Sequence, residues 1–378
     1  MVEKDVFQSF REVVDNRHQY AKDWKEKNKS KVIGWICTYT PVELIYAAGM
    51  LPARALGSHE NDRICDEYLI GEPCAFCVDC LNQALRGRYD YLSGIVNPRC
   101  CDYSEFIFHN WTKGSPVDLH YMIYMPGNIN SPRALPLLVA EYKDFIEALE
   151  KLSGKTISQE DLDRAIQLYN ENRRLMKQVY EFRKMANPPL TGFEAMEMVI
   201  ASQLMDVAEH NKLLEQLLEE LPERKLERDI GSRLMLVGSE YDDIEFTRAV
   251  EEMGCTFVIE ESCCGTRYFW NEIEPQDDHI TAIASRYINR WPCPAMDWQD
   301  TKRDDIVWNL AQEYKVEGVI LYYQKFCSPH EYDIPRLDKM FKERGIPTYT
   351  LEFDVTQPIG QFRTRIEAFL ETLMLELI

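Results

Sequence analysis

The residues with the most chemistry to offer are cysteines. Twelve occur in 378 residues: Cys37, Cys65, Cys74, Cys77, Cys80, Cys100, Cys101, Cys255, Cys263, Cys264, Cys293 and Cys327. Cys74-x-x-Cys77-x-x-Cys80 has the local spacing of the first three ligands of a bacterial ferredoxin run, but no fourth Cys-Pro completes it. The adjacent pairs Cys100-Cys101 and Cys263-Cys264 are awkward for ordinary disulfides and suit multi-thiolate metal ligation. Spacing alone leaves three readings open: iron–sulfur ligation, structural zinc, and inert thiols. Zinc favours a tidy four-ligand set, often two Cys-x-x-Cys pairs, which this chain does not offer. Cys65, Cys255 and Cys293 read as packing residues, because free cysteine is commonly buried.

Position along the chain carries more information than number. KVIGWICT (31–38) predicts a buried strand, followed by a helix from Pro41 to Met50 with Thr40 as its N-cap. A short strand at 53–56, a helix over 77–86, a strand at 91–98, a helix from Asp102 and a strand at 119–125 continue the series. From 132 to 226 the pattern turns to long helices, with Ser158-Gln159-Glu160-Asp161 as a capping box and Asn187-Pro188-Pro189 as a stop. Strands at 233–238, 255–261, 316–326 and 347–354 then alternate with helices at 242–253, 300–314, 335–344 and 361–377. Strand–helix alternation of this kind predicts an α/β fold of two Rossmann-like parallel-sheet domains with an additional helical layer. The expected organisation is an N-terminal amphipathic helix over 1–30, a first α/β domain over 31–131, a helical region over 132–228 and a second α/β domain over 229–378. Cys37 falls at the end of a predicted strand, and Cys100-Cys101, Cys263-Cys264 and Cys327 fall just past three others. Ligands of open α/β sheets bind there, so thiols from both halves are expected to meet in one cleft.

Composition removes several classes of partner. Lys plus Arg number 43 against 63 Asp plus Glu, a net charge of −20. So acidic a surface repels phosphate backbones and anionic lipid, so neither nucleic acid nor membrane is expected as a partner. No stretch approaches the roughly 18 apolar residues that a span requires. The charged opening MVEKDVFQSFREVVDNR lacks the apolar run of a secretory signal, and the expected location is cytoplasmic. Ser153-Gly154-Lys155-Thr156 looks like the tail of a phosphate loop but lacks the upstream glycine, and no Gly-x-Gly-x-x-Gly occurs. His330 is read either as a proton donor near the cleft or as a satisfied histidine, and Arg267 as an anion contact or an inter-domain salt bridge.

Six stretches carry a family resemblance: IGWICTYTPVELIYAAGMLPAR, CAFCVDCLNQAL, GIVNPRCCD, CCGTRYF, KFCSPHEYDIP and GQFRTRIEAFLE. Together they resemble the 2-hydroxyacyl-CoA dehydratase and benzoyl-CoA reductase superfamily from residue 33 to residue 371. The resemblance implies two α/β domains with helical additions and one [4Fe-4S] cluster on three cysteines. By motif these correspond to Cys74, Cys101 and Cys327, with the fourth iron site open. The chain departs from the common pattern at Cys77, Cys100 and Cys264, three surplus thiols beside motif positions. Cys80 and Cys263 are ordinary for the family, and Cys263 is the alternative to Cys264.

Three plus three thiols would hold two cubanes bridged by a sulfide. In this the chain is similar to the double-cubane branch, which carries an [8Fe-9S] cofactor on, here, Cys74, Cys77, Cys100, Cys101, Cys264 and Cys327. The resemblance further implies a homodimer and a separate ATP-hydrolysing [4Fe-4S] activator or reductase. The expected function is low-potential reduction of a small molecule, with His330 and Tyr268 as candidate proton donors. The rival expectation is a single-cubane subunit of a 2-hydroxyacyl-CoA dehydratase or benzoyl-CoA reductase. The non-enzymatic expectation is an electron-storage or cluster-carrier protein.

Overall fold

Short apolar runs bounded by glycine and proline form the strands here, and the longer periodic segments form helices. The computed structural model describes residues 5–61, 63–71, 73–297, 302–356 and 358–376. Its strands are β1 (Val32–Trp35), β2 (Leu51–Arg54), β3 (Gly94–Pro98), β4 (Leu119–Ile123), β5 (Ser232–Gly238), β6 (Cys255–Glu261), β7 (Gly318–Gln324) and β8 (Thr348–Phe353). They make two four-stranded sheets, ordered β2-β1-β3-β4 and β6-β5-β7-β8, and every pairing is parallel. The fold is α/β with two Rossmann-like sheets of the same strand order. In each, the order reverses between the first strand and the third, and a crevice opens at their carboxyl ends.

Side-chain alternation in the first sheet sends neighbours to two different cores. Ile95 joins one apolar cluster and Val96 the other; Val32 and Ile33 divide the same way. The larger cluster runs without a break from β1 and β2 to the strands of the second sheet. The smaller lies under helices Ala134–Ser153 and His279–Asn289, which pack on each other. Helix Gly192–Ala201 packs against both Val6–Asp15 and β6, so the helical segment ties the chain's start to the second sheet.

Several expected elements shift, each for a local reason. The N-terminal helix is two, Val6–Asp15 and Arg17–Asn28, parted at Asn16. The helix after β1 is Val42–Ala47 with Pro41, not Thr40, at the N-cap; Thr40 Oγ1 instead donates to the Cys37 carbonyl at 2.8 Å. The helix expected at 335–344 begins seven residues earlier and spans Ser328–Glu343, with Pro335 inside it. Helices Thr266–Phe269 and His279–Asn289 are additional to those expected. The capping box at Ser158 is present, Asp161 facing it. Residues 1–4, 300, 301 and 377 of the expected helices lie outside the described residues. Among the described residues, no helix is long and apolar enough to cross a membrane.

Candidate metal centre

The carboxyl ends of both sheets face one cavity of about 80 Å³. Its wall carries eight thiols: Cys37, Cys74, Cys77, Cys100, Cys101, Cys263, Cys293 and Cys327. Cys37 follows β1, Cys100 and Cys101 follow β3, Cys263 follows β6 and Cys327 follows β7. Five of the six cysteines expected as ligands are therefore here. Cys264 is not. It turns away from the lining, where Arg54 Nη1 donates to its sulfur at 3.4 Å and Glu240 Oε2 lies 3.5 Å from it. Its neighbour Cys263 takes the place on the wall.

Local chain geometry aims three of these thiols. Cys74 is the N-cap of helix Ala75–Leu85, Cys101 of Asp102–Gly114 and Cys327 of Ser328–Glu343. Three helix N-termini, each with unsatisfied N–H groups and the positive end of its dipole, thus converge on the cavity. That field favours anionic sulfur. The Cys74 thiol group accepts from Cys327 and Cys77, and from the amides of Cys77 and Phe76. These donors hold Cys74 well below the usual thiol range despite its burial. Cys101, without such thiol donors, is pushed up by burial to about 12. On the other side, Cys37 and Cys100 are in hydrogen-bonding contact.

Charged groups stand behind this lining. Arg54 is buried, ion-paired with Glu240, and donates to the Cys263 carbonyl at 3.1 Å. Arg267 is ion-paired with Glu261 at 2.8 Å, a salt bridge within the second sheet's own loops and not the inter-domain one expected. Arg303 joins Glu261 at 2.7 Å and Asp333 at 3.0 Å. His330 reaches the cavity wall, with Nδ1 3.2 Å from Cys327 Sγ and Nε2 3.4 Å from Arg267 Nη1. Burial, then Arg267 and Arg303, hold its imidazole well below the usual histidine range, so it is neutral. Tyr268 does not line the cavity; its ring stacks on Trp35 at 6.0 Å, away from the thiols.

The remaining expectations resolve simply. Cys65, Cys80 and Cys255 stay off this wall, Cys255 being bonded to the Val250 carbonyl at 3.3 Å. Cys293, expected as packing, is on the wall because the flanking Pro292 and Pro294 hold its loop extended over the cavity. That Pro-Cys-Pro run is the signal that could have found it. Ser153–Thr156 sits at the C-terminal end of helix Ala134–Ser153, the wrong pole for a phosphate.

Comparison with known proteins bears on the same residues. The sequence profile of the family "2-hydroxyglutaryl-CoA dehydratase, D-component" matches residues 37–373, from the first wall cysteine to the last helix. The chain belongs to this dehydratase family. It is similar to the (R)-phenyllactyl-CoA dehydratase beta subunit of Clostridium sporogenes, 30% identical over 97% of this chain and 98% of the relative. One of the subunits of benzoyl-CoA reductase from Thauera aromatica is 26% identical over 88% of each chain. The (R)-2-hydroxyglutaryl-CoA dehydratase beta subunit of Acidaminococcus fermentans is 26% identical over 97% of this chain and 99% of the relative. The superfamily expected from the motifs is therefore the right one.

The donor set fits an iron–sulfur group. Eight soft sulfur donors share one cavity, three at helix N-termini, with arginines behind them and neutral His330 beside Cys327. Among the described residues, no three His, Cys, Asp or Glu side chains already stand close enough to hold a single metal ion.

Proposed function

We propose that this chain is the cluster-bearing component of a low-potential iron–sulfur reductase acting on a small molecule. The observation that carries the reading is the eight-thiol wall, since one [4Fe-4S] cluster on three cysteines leaves five thiols of the same cavity unused. A double-cubane [8Fe-9S] centre uses six. Such a centre would supply electrons at low potential, stored in two coupled cubanes. Cys74, Cys101 and Cys327, at their three N-caps, would hold the first cubane. Cys77 and Cys100 stand on the wall for ligation, whereas Cys264 is turned from it. His330 keeps Cys327 oriented through its 3.2 Å contact and is the one proposed proton donor that faces the cavity. Electrons would come from a separate ATP-hydrolysing [4Fe-4S] protein, consistent with the absence of any phosphate loop in this chain. The working form would be a cytoplasmic homodimer.

A second reading has its own support. The 30% identity with a dehydratase beta subunit favours a single-cubane subunit of an acyl-CoA dehydratase or reductase. Anaerobic iron analysis of the purified protein separates the two: about eight irons per chain for the first, about four for the second. Acyl-CoA binding at four irons would overturn the double-cubane reading. Reduction of a small unsaturated substrate, dependent on ATP and the partner, would establish catalysis over mere electron storage.

A further inference from the structure

Besides its thiols, the cavity wall carries few oxygen or nitrogen side chains, and nearly all of these are committed to the protein. Ser104 Oγ donates to the Cys101 carbonyl at 2.9 Å. Ser239 Oγ accepts from the Gln324 amide at 2.9 Å, and Gln324 Nε2 donates to the Glu240 carbonyl at 3.0 Å. The Glu240 carboxylate is paired with Arg54. Both ring nitrogens of His330 face protein groups, Cys327 Sγ at 3.2 Å and Arg267 Nη1 at 3.4 Å. Tyr103 is the exception. It lines the cavity, and among the described residues its hydroxyl has no hydrogen-bond partner.

The place of this hydroxyl gives it a use. Tyr103 sits in the first turn of helix Asp102–Gly114 and is half-buried, whereas Ser104, Ser239, Gln324 and His330 are buried. It therefore stands at the mouth. One helical turn on, Phe106 meets its ring edge-on, with centroids 6.3 Å apart and planes at 73°, and Phe106 is 51% exposed. That contact holds the tyrosine ring between the wall and the surface. Ala295 and Pro329, also half-buried on the wall, offer only carbon from their side chains. Resting on the reading of this cavity as the place where a small molecule is reduced, we infer that Tyr103 is a substrate-binding residue whose hydroxyl donates a hydrogen bond to one end of the substrate. The class it fits is a short unsaturated molecule with an acceptor oxygen at the end remote from the thiols. A hydrocarbon of the same shape covers the hydroxyl without answering it, and an unanswered donor stripped of its water disfavours that ligand.

The test compares two probes of one shape, prop-2-yn-1-ol and but-1-yne, which differ by a hydroxyl in place of a methyl group. Each is titrated without oxygen into the reduced, iron-loaded protein, and its Kd is read from the change in the electron paramagnetic resonance spectrum. The parent should bind the alcohol about 5- to 10-fold more tightly than the alkyne, as one hydrogen bond allows. Tyr103→Phe should bind the two alike with its iron content unchanged, because the hydroxyl it loses holds no part of the protein. Tyr332→Phe, altered at an exposed tyrosine off this wall, should keep the parent's preference. Equal binding of the two probes by the parent, a preference that survives in Tyr103→Phe, or no spectral response to either probe overturns the inference. Loss of iron from Tyr103→Phe also overturns it, since the residue would then belong to the scaffold. About four irons in the parent, with a preference that depends on Tyr103, overturns the double-cubane reading and leaves the role of Tyr103 in place. A parent that holds no iron removes the metal centre, and the inference with it.

Discussion

The two sheets share a strand order, yet their carboxyl ends deliver different chemistry to the same cavity. After β1 the first sheet places Cys37, where the second, after β5, places Ser239 and Glu240. After β3 the first places Cys100 and Cys101, where the second, after β7, places a lone Cys327 with Phe326 before it. Behind the second sheet's loops lie Glu261, Arg267, Arg303 and Asp333, all buried. The first sheet chiefly supplies sulfur, and the second chiefly supplies the charge that frames it. Strand order fixes where a group is delivered; loop sequence fixes which group.

The sharpest way to break this comparison is to remove charge from the second half. Arg303→Met removes the guanidinium shared by Glu261 and Asp333, leaving Glu261 with Arg267 and Asp333 with Arg336, and breaking a buried ion pair costs about 3–5 kcal/mol. Urea unfolding should show that loss, whereas Cys37→Ser in iron-free protein should leave stability within about 1 kcal/mol. Equal effects would erase the contrast. Gly238→Ala comes next. A Cβ there would lie 1.9 Å from the Tyr322 backbone oxygen on β7, and overpacking of this kind costs about 1–3 kcal/mol in the same measurement.

A smaller effect sharpens how the halves are held together. His59 Nε2 lies 3.1 Å from Asp242 Oδ1, linking the loop after β2 to the loop after β5. Burial pushes His59 down, but Asp242, Asp243 and Asp79 outweigh it and raise it to about 10, while Asp242 is lowered to about 2. A histidine raised on folding contributes stability that is complete below its unfolded value near 6.5 and lost as pH rises towards about 10. Unfolding of the parent should therefore weaken across that window, and His59→Gln should flatten this component of the profile. An unaltered slope would remove the latch. Smallest is Phe326→Gly: φ is +64° there, a region glycine adopts freely, so stability should change by less than about 1 kcal/mol and Cys327 should keep its place.

Much of this is readable from the chain. CTFVIEE marks β6 to the residue, and the thiols after four strands announce a shared cleft. What escapes depends on direction and on the third dimension. Spacing says that Cys263 and Cys264 are adjacent but not which one a turn aims inward; Arg54, distant in sequence, holds Cys264 aside. Cys293 lies outside any strand end, and only the proline-bound loop brings it over. Tyr268 sits in a motif yet is stacked on Trp35, because the short helix at 266–269 points its ring into the core. Pro335 reads as a helix start, but helix Ser328–Glu343 carries it within.

The central claim is that sulfur from both sheets meets at one polynuclear iron centre. Anomalous diffraction at the iron edge, from crystals grown without oxygen, measures this most directly. The account predicts two adjoining iron peaks in the cavity, one of them beside Cys74, Cys101 and Cys327. Iron density outside that cavity, or none within it from iron-loaded protein, would contradict it.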